Sequence, residues 1–510
     1  MIQFDLSSGK RHVNANRPKQ LSQILAGHPL LELRGSLDKN ISGITYDSRK
    51  AERDSLFLAM PGFRLDGTRF IADAVNRGAA AFITEAPLDR VAESSLPGMT
   101  AIRVENCRLA LAGISSQYFG QPSRQLNLIG ITGTNGKTTV AYLLESIFRA
   151  FDSPAGIIGT INYRYGGKTF RAAMTTPESL DLNRMMADMV SLGIRNCVME
   201  VSSHSLALHR VRGLDFTAAV FTNLSRDHLD FHDALEDYML AKKSLFTDHG
   251  IDQRVVNIDD LLGREIRREA PRGTLTTAIH DRASVMAENI VLNKEGSRFD
   301  LKTLWGNLPV RSRLLGKHNI YNMLSAAAAA LQQNVPLETV VRGMETLACI
   351  PGRLQCVDLG QDFTVAVDYA HTDDALANVL KTARTFIRNK IILVFGCGGD
   401  RDRGKRGEMG RVALRESDFA IVTSDNPRSE NPERIIADIC RGIPPHAREG
   451  RDFTLIADRK KAIEYAIGKA GEGDLVLIAG KGHEDYQILK TQTIHFDDRE
   501  VALAALQKRA

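Results

Sequence analysis

Three observations predict an α/β protein of several domains. A glycine-rich strand–turn–helix occupies residues 130–139, four later strands each end in a polar cluster, and the chain is too long for one core. It has 510 residues, whereas single hydrophobic cores stop growing at about 250–300, so roughly three domains are expected. Apolar residues make up 43% and charged residues 25%, the balance of a globular chain and not of a disordered or fibrous one.

The elements follow in order. The first ~17 residues are polar and read as a loosely held extension. From Ile41 to about Glu105 short apolar runs alternate with turns, as in Ser55-Leu56-Phe57-Leu58-Ala59-Met60 before Pro61-Gly62. That pattern predicts a small α/β unit. A helical stretch from Arg108 to Tyr118 leads into a second domain, where Leu126-Asn127-Leu128-Ile129 predicts a strand. Gly130-Ile131-Thr132-Gly133-Thr134-Asn135-Gly136-Lys137-Thr138-Thr139 follows, and Val140 to Glu145 predicts a helix. Small residues let backbone N–H groups approach an anion, and a helix N-terminus adds its dipole. Lys137 would reach the outer phosphates of a nucleotide, and the Thr138 hydroxyl would ligate a magnesium ion. The strict G-x-x-x-x-G-K-[ST] spacing wants glycine where Ile131 stands, so Gly133 and Gly136 build a tighter version of the loop.

Two further runs read as buried parallel strands. Asn196 to Met199 ends at Glu200-Val201-Ser202-Ser203-His204, and Ala218 to Phe221 ends at Thr222-Asn223. Glu200 sits where a carboxylate can hold magnesium beside a nucleotide. His228 lies in the polar stretch Asn223 to His232. Lys242, in the helical pattern Tyr238 to Phe246, reads by itself as a surface lysine.

Beyond Cys349 the pattern restarts. Phe363 to Val367 ends at Asp368-Tyr369-Ala370-His371, and Ile391 to Phe395 at Gly396-Cys397-Gly398-Gly399-Asp400-Arg401. Phe419 to Val422 precedes Asp425-Asn426-Pro427-Arg428, and Leu475 to Ile478 precedes Gly480-Lys481-Gly482-His483-Glu484. Four such strands describe an open α/β sheet with a ligand at its carboxyl edge. The domain boundaries expected are 1–108, 109–348 and 349–510.

A net charge of +5 with interspersed signs suggests an anionic ligand and argues against nucleic acid. Cys107, Cys197, Cys349, Cys356, Cys397 and Cys440 have no C-x-x-C spacing, so reduced thiols in the cytoplasm are expected. No uncharged apolar run reaches the ~18 residues of a membrane span.

Thr132 to Thr139, Asn223 to His232, Gly316-Lys317-His318-Asn319 and the Asp368 to His371 cluster together resemble the Mur ligases of bacterial peptidoglycan synthesis. The resemblance covers roughly residues 41–500. Within the family, Glu200 to His204 and Asp425 to Arg428 look like the branch that adds meso-diaminopimelate. The resemblance implies a UDP-substrate-binding domain, a central P-loop ATPase domain and a C-terminal Rossmann-like domain for the amino acid. It implies ATP and two magnesium ions, UDP-N-acetylmuramoyl-dipeptide as acceptor and an acyl phosphate; a cytoplasmic monomer is expected, with neither nucleic acid nor membrane as partner.

The remaining site residues are what this resemblance implies. Lys242 matches the family lysine that takes up carbon dioxide, giving a carbamate that would share a second magnesium with His228. Lys137, Lys242 and His228 would serve catalysis, and Thr138, Glu200, His228 and Lys242 the metal ions. Gly133, Thr134, Asn135, Gly136, Thr138 and Thr139 join Lys137 in the ATP loop, with Asn319, Arg353, Asp368 and His371 as further nucleotide contacts. Ser48 matches a uridine contact, and Thr175, Thr176, Ser202 and Arg210 hold the muramyl portion. Arg401, Asp425, Asn426, Arg428, Gly480 and Glu484 match the amino-acid site. Arg428 with Asn426 would take the distal carboxylate of diaminopimelate, and Asp425 with Glu484 an ammonium. Asp373 stands where the family has proline, which is expected to loosen the turn after His371.

Three other readings compete. A lysine-adding ligase is disfavoured by Asp425 to Arg428, and a folylpolyglutamate synthetase by Ser48 and the N-terminal UDP-type domain. A nucleotide-dependent nucleic-acid-binding module would use Arg401, Arg403, Lys405 and Arg406 as a basic patch, but charge balance and the lack of interleaved aromatics oppose it.

Overall fold

Three large sheets organise the described residues, beside two two-stranded ones. The computed structural model describes residues 18–62, 65–91, 98–227, 231–293 and 295–509; the N-terminal extension and His228 lie outside them. The first sheet has five strands in the order Glu32–Arg34, Thr100–Arg103, Ala81–Thr84, Ser55–Ala59, Gly43–Thr45. Only the first pair is antiparallel. Every residue of Ser55–Ala59 and Ala81–Thr84 is buried, as expected of parallel strands covered on both faces. Helix Cys107–Tyr118, capped by the Asn106 side chain, packs Cys107, Leu111 and Ile114 into this core. The same cluster takes in Leu180 of helix Ser179–Ser191, so Cys107–Tyr118 packs at the junction of the first two sheets' layers.

The second sheet has eleven strands. Their order is Lys168–Arg171, Asn162–Tyr165, Ala155–Ile158, Asn196–Glu200, Asn127–Thr132, Ala218–Phe221, Gln253–Asn257, Thr274–Ala278, Val285–Asn293, Gly296–Thr303, Gly306–Ser312. The stretch from Ala155–Ile158 to Val285–Asn293 is parallel. Alternate residues face opposite layers. Ile129, Ile131, Val198 and Val220 meet helices Lys137–Ala150, Lys317–Gln332 and Leu337–Thr346, while Leu128, Cys197, Met199 and Phe221 meet the opposite layer. The alanines Ala326 to Ala330 are all buried, so a long helix approaches this sheet closely. Register sets the site: Glu200 pairs with Ile131 and Phe221 with Thr132, so the glycine loop, Glu200 and Thr222 leave the sheet at one level.

The third sheet orders its six strands Gln355–Cys356, Thr364–Asp368, Leu475–Ala479, Ile391–Phe395, Phe419–Val422, Phe453–Leu455. The four strands expected from sequence are there, parallel, with the last of them in chain order at the centre. Asp368 pairs with Ala479 and Ile478 with Val394, which brings the polar clusters to one edge. The two edge strands were not anticipated; they are short and only partly buried. All six cysteines are free. No helix among the described residues is long and apolar enough to cross a membrane.

Candidate active site

The glycine loop joins strand Asn127–Thr132 to helix Lys137–Ala150. Gly133 and Gly136 have φ of +148° and +90°, and a Cβ at either would collide with Thr222 or Asn322. No side chain caps the helix, so its first-turn N–H groups are left for an anion. The loop is stitched to the neighbouring strand end. Thr134 N donates to Asn223 O (2.8 Å), Asn135 N to Asn223 Oδ1 (3.0 Å), and Asn223 Nδ2 to Asn135 O (3.1 Å). Lys137 Nζ folds back to donate to Gly133 O (2.7 Å) and Thr134 O (2.9 Å). Burial pushes its pKa down, against the pull of Glu200 and Asp227.

Glu200 is buried at the end of its strand. It accepts from Thr138 Oγ1 (3.0 Å), Thr160 N (3.0 Å) and Thr160 Oγ1 (2.9 Å). Carboxylate and hydroxyl oxygens thus converge beside the loop, a donor set suited to a hard cation. Among the described residues no group of three His, Cys, Asp or Glu side chains could hold a metal by itself. Lys242 is not on the surface: it is 1% exposed, with its Nζ 4.3 Å from the Tyr238 ring centre. Burial, and then the charge of Lys137, hold its pKa well below the usual lysine value.

Beside Glu200, Thr175 Oγ1 lies 3.1 Å from Thr160 Oγ1, and Thr176 Oγ1 donates to Glu200 O (2.8 Å). Ser202 N donates to Thr176 Oγ1 (3.1 Å). Arg210 is held by Glu178 Oε1 (3.0 Å) and Thr176 O (3.1 Å).

The C-terminal domain forms the facing wall. Arg353 stands 4.9 Å from the Tyr369 ring centre, with Nη2 3.5 Å from Thr138 Oγ1. Asp368 accepts from Leu354 N (2.7 Å) and Ala370 N (2.8 Å); burial raises its pKa, and Arg353 and those N–H groups oppose. His371 Nδ1 is 2.8 Å from Tyr369 O, a contact that needs the proton on Nδ1, and burial keeps the ring's pKa low. Asn319 Nδ2 donates to Leu315 O (2.8 Å). In the turn after His371, Thr372 caps helix Asp373–Arg384 by accepting from Ala375 N (3.2 Å). In that helix Asp374 Oδ2 accepts from Ser225 Oγ (2.9 Å) and from Asn135 Nδ2 of the loop (3.3 Å).

At the far end Asn426 Nδ2 donates to Glu484 Oε2 (2.8 Å). Burial and Asp425 raise the Glu484 pKa. Arg428 has φ of +52°, a backbone region that costs a non-glycine residue about 1 kcal/mol. This aims its guanidinium at Gly399 O (2.9 Å), over Gly398, where a Cβ would stand 2.8 Å from Nη1.

One cavity of about 1030 Å³ runs between these walls. It brings together every described site residue expected from sequence except Gly133 and Ser48. Gly133 lies just behind it through its bond to Lys137. Ser48 is buried in the first domain, in the 3-10 turn Ser48–Lys50. The sequence reading missed Thr160, Asp374 and Lys481, and gave Asn223 and Gly398 no role. Positive φ and close approach mark the glycines, but the other contacts depend on register and domain packing. The basic patch of the nucleic-acid reading is not one surface, since Arg406 is fully buried and paired with Glu430 (2.8 Å) and Asp438 (3.0 Å).

Comparison with known proteins gives the family. Three family models match: "Mur ligase family, catalytic domain" over residues 40–119, "Mur ligase middle domain" over 131–330, and "Mur ligase, glutamate ligase domain" over 352–482. The chain is similar to the UDP-N-acetylmuramoyl-L-alanyl-D-glutamate--2,6-diaminopimelate ligases of Solibacter usitatus and Bacillus cereus. It is 47% and 44% identical to them, over 92% of this chain and 94% of each relative. A solved structure of a ligase of that name is 32% identical, with a TM-score of 0.68 over 97% of this chain and 99% of the other. With a match in each domain and such identity over most of its length, the chain belongs to the Mur ligase family.

Proposed function

We propose that this protein is an ATP-dependent ligase that joins meso-diaminopimelate to UDP-N-acetylmuramoyl-L-alanyl-D-glutamate in peptidoglycan synthesis, acting as a cytoplasmic monomer. The observation that carries the reading is a single cavity with a phosphate loop at one end and Arg428 beside an acidic pair, Asp425 and Glu484, at the other. An amino acid whose far end carries both a carboxylate and an ammonium meets both charges there. L-Lysine would leave Arg428 without its anion.

The γ-phosphoryl group of ATP passes to the substrate's terminal carboxylate, giving an acyl phosphate and ADP. The amine then attacks that carbonyl carbon, the tetrahedral adduct sheds phosphate, and the new amide nitrogen loses a proton. The loop N–H groups hold the phosphates, and Lys137, released from Gly133 O and Thr134 O, follows the transferring group. Thr138 and Glu200 would hold one magnesium ion, and Lys242 as carbamate with His228 a second; bound there, the metal offsets the repulsion between carboxylate and triphosphate. The low pKa of Lys242 favours the neutral amine that carbamate formation needs. Thr175, Thr176, Ser202 and Arg210 line the acceptor's path, and Arg210 is held rigid by Glu178. Ser48 would meet the uridine once the first domain closes.

The test is phosphate release with UDP-N-acetylmuramoyl-dipeptide and a panel of amino acids. Release is expected with meso-diaminopimelate; release with L-lysine but not with meso-diaminopimelate overturns the specificity.

A further inference from the structure

Lys481 follows strand Leu475–Ala479 and has no exposed surface. Its ammonium donates to Tyr486 O (2.5 Å), Glu484 Oε2 (3.2 Å) and Asn426 Oδ1 (3.3 Å), and stands 3.7 Å from Asp425 Oδ1. That Asp425 oxygen is buried and accepts no hydrogen bond among the described residues. Two carboxylates at one closed site do not both stay ionised unless a cation offsets them. Asn426 Oδ1 also accepts from Ile488 N (2.9 Å), which leaves the amide N–H to face Glu484.

We infer that Lys481 is a positioning residue for the distal ammonium of the amino acid. Its charge stands between the Asp425 and Glu484 carboxylates and favours the ionised form of Glu484, and its bond to Asn426 orients the amide between them. The pocket then presents one net negative charge, which a single ammonium neutralises. This inference rests on the proposed amino-acid site and deepens it.

The pH consequence has a definite sign. Glu484 is faced by Asp425, Lys481, Tyr369, Tyr486 and Arg459, the last committed to Asp498 at 2.6 and 2.7 Å. Burial and Asp425 raise its pKa, while Lys481 and the Asn426 bond lower it. Without the lysine, Glu484 takes up a proton at higher pH and stops attracting an ammonium.

Lys481→Met is therefore expected to raise the KM for meso-diaminopimelate, relative to wild type, by about tenfold at pH 7 and by less than about threefold at pH 9. The KM for ATP should stay within about twofold, since the hydrogen-bond partners of Lys481 are Asn426, Glu484 and Tyr486 and not the phosphate loop. Lys481→Arg keeps the charge and should restore the wild-type pH profile. If Lys481→Met does not fold, Lys481→Gln, which keeps a donor without the charge, is read the same way. A KM ratio independent of pH, or a matching rise in the KM for ATP, makes Lys481 merely structural and overturns the inference. Wild-type enzyme that releases no phosphate with meso-diaminopimelate defeats the functional reading instead; wild-type release with an unshifted variant profile defeats only the role of Lys481.

Discussion

Arg428 sits in a left-handed backbone conformation that an arginine adopts at a cost, and its guanidinium rests on the Gly399 carbonyl. Strain of this kind is retained where the side chain's aim matters. Arg428→Ala is expected to raise the KM for meso-diaminopimelate by about 100-fold, the loss of a charge-assisted fork. The KM for ATP should hardly move, and phosphate-release kinetics read both; equal losses would mark an arginine that only supports the turn. Lys242 poses the opposite case, an amine buried at a cost to stability. Its folded pKa is depressed, so the unfolded chain binds more protons and stability rises with pH from that lowered value up to the unfolded value of 10.5. Lys242→Met should therefore abolish turnover yet raise the melting temperature of the central domain in carbon-dioxide-free buffer. The gain should shrink as pH climbs toward 10.5. Calorimetry across pH checks it, and a lower melting temperature in the variant would mean the amine is held as a well-paired cation.

Elements differed in how far the sequence disclosed them. The glycine loop was legible because two left-handed glycines next to a helix start leave few alternatives. The four central strands of the third sheet were legible as continuous apolar runs, since strands buried on both faces need them. The burial of Lys242 was not legible from periodicity. In helix Leu235–Thr247, Leu235 and Leu240 are 42% and 54% exposed while the lysine points inward, the reverse of the usual pattern. Only the family resemblance raised it. Thr160 belongs to no recognised motif, and Lys481 was seen only as part of the cluster Gly480 to Glu484 with no role of its own; strand register and domain packing place both by their carboxylates. Helix Cys107–Tyr118 lies at a boundary, and a helix there looks alike in sequence whichever core it joins.

At the scale of the molecule the central and C-terminal domains meet at the phosphate loop. Asp374, at the start of helix Asp373–Arg384, accepts from loop residue Asn135 and from Ser225 across that junction. Loss of a hydrogen bond worth about 1 kcal/mol changes an equilibrium roughly fivefold. Asp374→Ala is therefore expected to let water reach the acyl phosphate more often, with phosphate released in excess of tripeptide formed. The phosphate-to-tripeptide ratio is the measurement. A ratio that stays at one in the variant would show that closure does not depend on this contact.

The strand order of the third sheet bears on how the protein is made. Leu475–Ala479 lies between Thr364–Asp368 and Ile391–Phe395, although it is the last strand of the sheet to be synthesised. Until the ribosome delivers that strand, its two neighbours have unpaired edges and no common register. Of the residues proposed for the amino acid, Arg401, Asp425, Asn426 and Arg428 are by then already made, while Gly480 and Glu484 arrive only with that strand. A chain arrested before residue 475 would carry open edges prone to pairing with other chains, and it could not complete an amide bond.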